Sequence, residues 1–243
     1  MTGKRIWLEE TDSTNMYVRD RIQALEPMTL VLARTQTAGR GQRGNSWESE
    51  PGMNLTFSFH FSPERTAPAA QFAISEAVAL AMAGVLCDFG IEARVKWPND
   101  IYVGDRKISG ILIENSIMGS RIDHSIVGIG LNVNQKRFVS DAPNPVSMSQ
   151  LTGLEYDLDT VADSVATNME RHLRRLADAD GSLHREYLSR LWRGDGRPYP
   201  FRETATGELF EGVILDVAPT GHLLLQTPAG PRSYAFKEIT FRN

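Results

Sequence analysis

The chain has 243 residues, of which 41% are hydrophobic and 23% charged, with a net charge of −4; this is ordinary globular usage, with enough apolar residues for a buried core. The sequence has no run of like charges, which argues against nucleic-acid binding. It also has no signal-peptide stretch and no run of about 20 apolar residues, which argues against membrane binding and favours a cytoplasmic protein. Cys87 is the single cysteine, which excludes an internal disulfide and a cysteine cluster for zinc.

The first third of the chain predicts helices that alternate with strands. A helix is expected after Ser13, and the apolar run 29–33 predicts a buried strand. Residues 55–61 alternate between apolar and polar side chains, which predicts a strand with one buried face. The alanine-rich segment 68–89 predicts a long helix that ends at Gly90.

The remainder predicts a strand meander, two helices and a small β-rich tail. The strand-like segments of the meander are 91–97, 101–103, 108–114 and 125–133. A helix is expected after Asp157 and a shorter one over about 183–192, before the turn-forming sequence GDGRP breaks the pattern. We therefore predict an α+β fold: a mixed or antiparallel sheet backed by helices in residues 1–194, and a small β-barrel in residues 195–243.

A loop rich in glycine and arginine, GRGQRGNSWESEPG, occupies residues 39–52. Its first glycines satisfy the G-x-G-x-x-G spacing of dinucleotide-binding proteins, but that fingerprint requires a helix directly afterwards. This loop leads into a strand instead, so the dinucleotide interpretation fails. Glycine permits close backbone approach and arginine donates to carboxylate or phosphate oxygens, so Arg40 and Arg43 could close over an anionic ligand. An ordinary solvated surface loop is the alternative.

Two weaker features lie at the end of this loop and in the last strand of the meander. Trp47, at the end of the loop, offers a flat surface on which a nucleobase could stack, although a core anchor is the commoner role of a tryptophan. The sequence GIGLNVN, at residues 128–134, contains two strand glycines that indicate close backbone approach. Asn132 adds one polar amide to that segment.

The segment KWPNDIYVGDRKISGILIE, at residues 96–114, combines polar groups with an apolar strand. Asn99 and Asp100 fall at a turn, where their side chains can point at a ligand. Lys107 stands at the mouth of the strand, where its ammonium group could meet a carboxylate and the phosphate that the carboxylate attacks. Common turn chemistry and a solvated lysine are the alternative interpretations.

In this order, GRGQRG-x-x-W, KWPND with DRKISGILIE, and GIGLNVN resemble the catalytic domain of biotin–protein ligases, and the opening TDSTN resembles that family's substrate-binding start. The resemblance covers about residues 6 to 192, and the tail resembles the family's small SH3-like C-terminal domain. It implies the class II synthetase-like fold of that family. It also implies an enzyme that uses ATP and Mg²⁺ to form biotinyl-5′-AMP, and then transfers biotin to a lysine of a biotin carboxyl carrier domain.

The resemblance implies a role for each matching residue. Those expected to contact biotin are Ser13, Thr14, Gln36, Gly39, Arg40, Lys107 and Gly110. Those expected to contact ATP or the adenylate are Arg43, Trp47, Asn99 and Asn132. Arg40, Lys107 and Asp100 are expected to be catalytic, with Lys107 between biotin's carboxylate and the α-phosphate, and Asp100 near the magnesium and the acceptor amine. The family often has arginine where this chain has Gln42 and Asn45, so retention of the adenylate is expected to differ.

Three alternatives stay open at this point. A lipoate–protein ligase or octanoyltransferase shares the fold, but the transferases need a cysteine nucleophile, and Cys87 is expected to be buried in a helix. A transcriptional regulator would need a DNA-binding domain, for which the first ten residues leave no room in the expected single-function type. A pseudo-enzyme would bind biotin without activating it. The sequence does not decide between a monomer and a homodimer.

Overall fold

The computed structural model describes residues 4–63, 65–139, 144–178 and 180–242. Seven strands form one mixed sheet with the order β1-β2-β3-β7-β6-β5-β4. They are β1 (Arg5–Thr11), β2 (Leu30–Gln36), β3 (Leu55–Phe61), β4 (Arg94–Lys96), β5 (Asp100–Val103), β6 (Arg106–Met118) and β7 (Arg121–Leu131). β1 and β2 are parallel and the other neighbouring pairs are antiparallel, because short turns connect the meander from β4 to β7. The predicted mixed sheet is confirmed.

Five helices accompany this sheet, one on its front face and most of the rest on its back face. They are α1 (Thr14–Asp20), α2 (Phe72–Asp88), α3 (Met148–Thr152), α4 (Leu158–Arg174) and α5 (Ser182–Ser189). The back-face helix α2 is buried on nearly every side, between the sheet and the helices α4 and α5. α4 begins where the sequence predicted, because the Asp157 carboxylate accepts a hydrogen bond of 2.9 Å from the backbone N–H of Thr160.

Strand β3 shows how the two faces differ. Phe57 and Phe59 point into the core under α2, whereas Ser58 lies on the opposite face under α1. The prediction of one buried face is wrong, since all seven residues of β3 are buried. The polar side is covered because the Ser58 hydroxyl lies 2.6 Å from Oδ1 of Asn15 and 2.7 Å from Oγ1 of Thr14, both in α1.

The helical segment Pro68–Asp88 is long and apolar enough to cross a membrane, but 67% of its most apolar stretch is buried inside the protein, as in a core helix. The expectation that Cys87 is buried is wrong. Its side chain is exposed, because the last turn of α2 extends beyond the core and leaves Cys87 and Asp88 at the surface.

The C-terminal strands form a second, antiparallel sheet with the order β11-β10-β9-β8-β12. They are β8 (Tyr199–Glu203), β9 (Leu209–Val217), β10 (Leu223–Thr227), β11 (Gly230–Tyr234) and β12 (Ile239–Phe241). This antiparallel sheet agrees with the expected SH3-like domain, although the strand order of the described residues does not close it into a barrel. This sheet contacts the first one directly: the indole N–H of Trp97 donates to the carbonyl oxygen of Gly221 at 2.9 Å. The division into two domains stays a prediction.

Candidate active site

A cavity of about 780 Å³ opens on the front face of the seven-stranded sheet. Its floor is formed by β6 and β7, one wall by α1, a second wall by the loop 39–47, and a third by the C-terminal sheet. The cavity brings together most of the predicted site residues: Ser13, Thr14, Gln36, Arg40, Trp47, Asn99, Asp100, Lys107 and Gly110.

Two strand glycines allow an indole ring to lie flat on the cavity floor. A Cβ atom on Gly130 would lie 2.1 Å from Cε2 of Trp47, and one on Gly110 would lie 2.9 Å from Cζ3 of the same ring. Any side chain at either position would therefore displace Trp47. The indole Nε1 is buried without a hydrogen-bond partner in the described structure. Trp47 is thus half-buried at the edge of the cavity rather than an anchor of the core.

The wall at α1 is a fixed polar network. The backbone N–H and the hydroxyl of Thr14 both donate to Oε1 of Gln36, at 2.8 and 3.1 Å. Behind them, Oδ1 of Asn15 would lie 1.9 Å from a Cβ atom on Gly128, so the glycine lets α1 approach the sheet this closely. Because these side chains hold one another, the donors and acceptors of this wall are preorganised for a polar ligand.

The loop wall is a narrow hairpin. The N–H of Trp47 donates to the carbonyl of Gly39 at 3.0 Å, and that of Gly41 donates to the carbonyl of Asn45 at 2.7 Å. The tip is a single 3₁₀ turn at Gln42–Gly44, and the next element of the chain is β3. No helix follows the loop, so the exclusion of a dinucleotide fold is confirmed.

Arg40 lies at the rim of the cavity, tied to the sheet by a shared carboxylate. Its Nη1 is 3.9 Å from Oε1 of Glu114 and 3.4 Å from the sulfur of Met16. The same carboxylate accepts hydrogen bonds from Arg19 at 2.5 Å and from Asn15 at 2.9 Å. Glu114 thus lies at the limit of ion-pair distance from the arginine of the loop.

Lys107 and Asp100 form an ion pair inside the cavity. The antiparallel pairing of β5 and β6 brings them together, with 2.6 Å between Nζ and Oδ1. Both side chains are about one fifth exposed, and Nζ lies 5.7 Å from the centre of the Trp47 ring. Lys107 and Arg40 thus line one cavity, from the floor and from the loop.

Three predicted residues do not contribute a described side chain to the cavity. Gly39 lies at the base of the loop hairpin, where a Cβ atom would come within 2.8 Å of the Trp47 carbonyl oxygen. Asn132 is buried below the floor, and its Nδ2 donates to the carbonyl of Val146 at 3.1 Å. The side chain of Arg43 lies outside the described part of the structure. Their assigned roles stay predictions.

Several cavity residues were missed by sequence analysis. Lys96, at the end of β4, lines the cavity, and its pKa is lowered by burial, an effect that Asp100 opposes and Lys107 reinforces. The C-terminal sheet adds Phe236, Ile239, Thr240 and Phe241. The sequence predicted a strand over 91–97 but gave Lys96 no role, and no motif marked the C-terminal residues.

The fold and the site define an enzyme pocket in which two cations face a preorganised polar wall. A family model described as "Biotin/lipoate A/B protein ligase family" matches residues 7–132. The bifunctional ligase/repressor BirA of Escherichia coli is 33% identical over 96% of this chain and 72% of its own length. The biotin–[acetyl-CoA-carboxylase] ligase of Paracoccus denitrificans is 33% identical over 96% of this chain and 99% of its own. The chain belongs to the biotin/lipoate A/B protein ligase family.

The fold agrees with this membership. The biotin protein ligase of Aquifex aeolicus in complex with biotin and ATP superposes with a TM-score of 0.81 at 25% identity, over 99% of both chains. The mixed sheet backed by helices, followed by a small C-terminal sheet, is therefore the fold of biotin protein ligases.

Proposed function

We propose that this chain joins biotin to ATP, forming biotinyl-5′-AMP and pyrophosphate, and then transfers biotin to a lysine of a biotin carboxyl carrier domain. The observation that carries the proposal is that Arg40 and Lys107 line one cavity, between a polar wall and an aromatic surface. The names of the relatives support it, because the Paracoccus protein is a ligase for acetyl-CoA carboxylase. A lipoate or octanoate ligase is less well supported, since the Paracoccus relative and the Aquifex structure are named as biotin ligases.

The first step needs cations because two anions must meet. An oxygen of the biotin carboxylate attacks the α-phosphorus of ATP, and the bond to the pyrophosphate oxygen breaks. Lys107 would hold the carboxylate and the α-phosphate together, and Arg40 would close over the same junction from the loop. Their charges neutralise the repulsion and stabilise the negative charge that develops in the transition state. The carboxylate of Asp100, 2.6 Å from Nζ, holds the Lys107 ammonium in place.

The cavity walls support a placement for each part of the intermediate. The polar wall of Ser13, Thr14 and Gln36 would bind the ureido ring of biotin, with Gly110 and Gly39 close to its side chain. Trp47 would pack on the adenine, which fits sequence-tolerant stacking of bases on aromatic rings. Asn99 lies at the cavity edge, where its Nδ2 donates to the carbonyl of Ile111 at 2.6 Å. For Arg43 and Asn132 the nucleotide contact rests on the family resemblance alone.

The second step needs a neutral amine. The acceptor lysine has an ordinary pKa of about 10.4 and must lose a proton before its nitrogen attacks the acyl carbon and releases AMP. We assign the orientation of this amine to Asp100, whose carboxylate lines the cavity beside Lys107. The attacking nitrogen forms an amide bond as the bond between the acyl carbon and the phosphate oxygen breaks.

Magnesium fits this site as a partner of the phosphates rather than as a resident ion. Among the described residues no group of three His, Cys, Asp or Glu side chains could hold a metal. Asp100 is the one carboxylate among the described cavity-lining residues. A single carboxylate plus phosphate oxygens suits Mg²⁺, which keeps several of its waters in nucleotide sites.

The setting follows from composition and surface charge. A net charge of −4 without basic clusters favours a cytoplasmic enzyme whose partner is a carrier domain rather than DNA or a membrane.

Biotin-dependent exchange of labelled pyrophosphate into ATP tests the proposal, with lipoate and octanoate as competing substrates. We expect exchange with biotin alone. Strong exchange with lipoate and none with biotin would overturn the substrate assignment.

A further inference from the structure

A continuous chain of hydrogen bonds runs from the polar wall of the cavity to a carboxylate on β6. Thr14 lines the cavity, and its hydroxyl oxygen lies 2.7 Å from that of Ser58. The Ser58 hydroxyl also lies 2.6 Å from Oδ1 of Asn15, whose Nδ2 lies 2.9 Å from Oε2 of Glu114. Thr14, Asn15 and Ser58 are each at most 3% exposed, so the chain runs inside the protein. We refer to these four residues as the relay.

The charge of Glu114 gives the relay a direction. A carboxylate only accepts hydrogen bonds, so the Asn15 amide turns its nitrogen to Glu114 and its oxygen to Ser58. The Ser58 hydroxyl has one proton and donates it to that oxygen. Because Ser58 has no second proton, its contact with Thr14 is a hydrogen bond only when Thr14 donates. Each member of the relay therefore donates towards Glu114.

Thr14 consequently faces the cavity as an acceptor. Its single hydroxyl proton is used inside the wall, where Oγ1 lies 2.7 Å from the Ser58 oxygen and 3.1 Å from Oε1 of Gln36. The remaining lone pair of Oγ1 can accept from a ligand. Gln36 has the opposite polarity, because its Oε1 accepts from the backbone N–H of Thr14 and its Nε2 is left to donate. The wall thus presents one acceptor beside one donor.

The two oxygens of Glu114 have separate partners. Oε1 accepts a hydrogen bond from Arg19 and lies 3.9 Å from Nη1 of Arg40, whereas Oε2 is turned inward to Asn15. The side chain is only 26% exposed, so it spans the distance between the surface arginines and the buried relay. Loss of Arg19 would therefore leave the hydrogen bond to Asn15 in place.

We propose that Glu114 is a positioning residue for substrate specificity: through the relay it makes the wall select a ligand with an N–H group beside a carbonyl group, as in the cyclic urea of biotin. This inference rests on the proposed function and adds a reason why similar acids are rejected. A buried acceptor that meets no donor weakens binding, so a ring without N–H groups is disfavoured. The dithiolane ring of lipoate and the alkyl end of octanoate have no N–H group.

The test measures binding without ATP, by calorimetric titration of biotin and of a cyclic carbonate analogue in which oxygen replaces both ureido N–H groups. We expect wild type to prefer biotin by about 100-fold or more. In E114M the relay loses its fixed end, so the Thr14 hydroxyl can turn its proton to the cavity. The preference for biotin should then fall about ten-fold, because biotin binds more weakly and the carbonate does not.

S58A interrupts the relay in its middle, away from the two arginines that contact Glu114. It should lower the preference for biotin by about as much as E114M does, because the Thr14 proton loses its partner inside the wall. The double variant should show no further fall, since Glu114 acts on Thr14 only through Ser58. Additive effects of the two substitutions would contradict the relay.

Two controls separate the relay from surface ion pairing. R19M removes the arginine that binds Oε1 of Glu114 but keeps the hydrogen bond from Asn15 to Oε2. E26M removes an exposed glutamate that pairs with Lys4 at the surface. Both variants should keep the wild-type preference for biotin within about two-fold.

A purely structural role of Glu114 would weaken both ligands equally, and an unchanged preference in folded E114M would overturn the inference. If E114M does not fold, S58A decides, with an unchanged preference as the contrary result. Biotin-dependent pyrophosphate exchange in wild type, together with an unchanged preference in these variants, would refute the inference alone. A preference that depends on Glu114 in a protein without such exchange would refute the proposed ligase activity and leave the role of the relay intact.

Discussion

The two faces of the seven-stranded sheet are built from the same strands, but the back face packs the core and the front face lines the cavity. On the back face, Val127 and Ile129 of β7 pack into the core with Phe57 and the helix α2. On the front face, the alternate residues Gly128 and Gly130 carry no side chain, and leave room for α1 and for the ring of Trp47. The back face is filled with apolar side chains, whereas the front face combines a small apolar cluster of Val18, Val31 and Ile126 with polar groups and a cavity.

Stability and chemistry are therefore separable in this molecule. The period of two along a strand sends successive side chains to opposite faces. Front-face substitutions should therefore change turnover with little effect on folding, and back-face substitutions should do the reverse. Five substitutions on the two faces test this separation.

Lys107→Ala on the front face should have the largest effect. Removing the cation at the phosphoryl–carboxyl junction should lower the rate of adenylate formation by about 10²- to 10³-fold, the usual loss for one group that stabilises transition-state charge. The melting temperature should stay close to that of wild type, because Lys107 contributes to a partly exposed ion pair rather than to the core. Pyrophosphate release in a single turnover measures the rate, and K136A is the control. Release at the wild-type rate would contradict the role of Lys107.

Leu86→Ala on the back face should act on folding. Leu86 in α2 is fully buried, and truncation should lower the free energy of unfolding by about 3 kcal/mol through lost burial and a residual cavity. L154A is the matched control, because Leu154 is 62% exposed and its truncation should change stability by less than about 0.5 kcal/mol. Denaturant unfolding gives the free energies, and the KM values for biotin and ATP should be unchanged below the melting temperature. Altered KM values in folded L86A would break the separation of the faces.

Asp100→Ala should slow the transfer step. If Asp100 orients the acceptor amine, transfer from added biotinyl-5′-AMP to the carrier domain should fall by about 30-fold, in the range expected for a misplaced reactant. D100N, which keeps a hydrogen-bonding oxygen, should lose less. Incorporation of labelled biotin into the carrier gives the rate. An unchanged transfer rate in D100A would remove Asp100 from this step.

Gly130→Ala should disturb the floor of the cavity. The added methyl group would collide with the indole of Trp47, so we expect the KM for ATP to rise about ten-fold, as for loss of one base–aromatic stack. The double-mutant cycle with W47A supplies the control, because the methyl group has space once the ring is gone. Additive effects of the two substitutions on the KM would show that Gly130 acts by another route.

H184Q on the back face should have the smallest effect, which is a change in how the melting temperature depends on pH. Its Nδ1 lies 2.7 Å from Oε1 of Glu76 in α2, and its Nε2 lies 2.8 Å from Oδ1 of Asp216 in β9. Burial alone lowers the pKa of His184, but hydrogen bonds and attraction from the two carboxylates outweigh it and raise the pKa above 6.5. Two carboxylates that face one imidazole favour its charged form, in which both ring nitrogens donate.

The stabilisation from this bridge is complete below pH 6.5 and is lost as the pH rises through the raised pKa of the folded state. The difference in melting temperature between wild type and H184Q should therefore be largest near pH 6 and shrink towards about pH 9. Thermal unfolding of both proteins over this pH range measures the difference. H222Q is the control, because His222 is bonded to the hydroxyl of Thr220 and not to a carboxylate. A difference that does not change with pH would show that His184 acts only by packing.

The fold was predictable where the pattern is local. The N-cap Asp157 and its apolar spacing predicted α4, and alternation predicted β3 and the meander. Strand β1 (Arg5–Thr11) was not predicted, because it is a half-exposed edge strand. Its hydrogen-bond partner β2 lies about twenty residues further along the chain, so the pairing forms only in the folded chain. The short helix α3 has five residues, too few for a periodic signal.

The site was predictable to the extent that it lies in motifs. Arg40, Trp47, Asp100 and Lys107 come from contiguous segments and meet in one cavity. Phe241 was not predictable, since only the packing of the C-terminal sheet against β4 brings it beside Lys96, across more than half of the chain. Long-range packing of this kind leaves no periodicity or spacing in the sequence.

The central claim is that Arg40 and Lys107 meet around one phosphoryl–carboxyl junction on the front face. A crystal structure of the chain with a non-hydrolysable analogue of biotinyl-5′-AMP tests it most directly. We expect Nζ of Lys107 and the guanidinium of Arg40 within hydrogen-bond distance of the acyl–phosphate junction, with Arg40 released from Glu114. An analogue bound elsewhere, or bound here with Arg40 still tied to Glu114, would contradict the account.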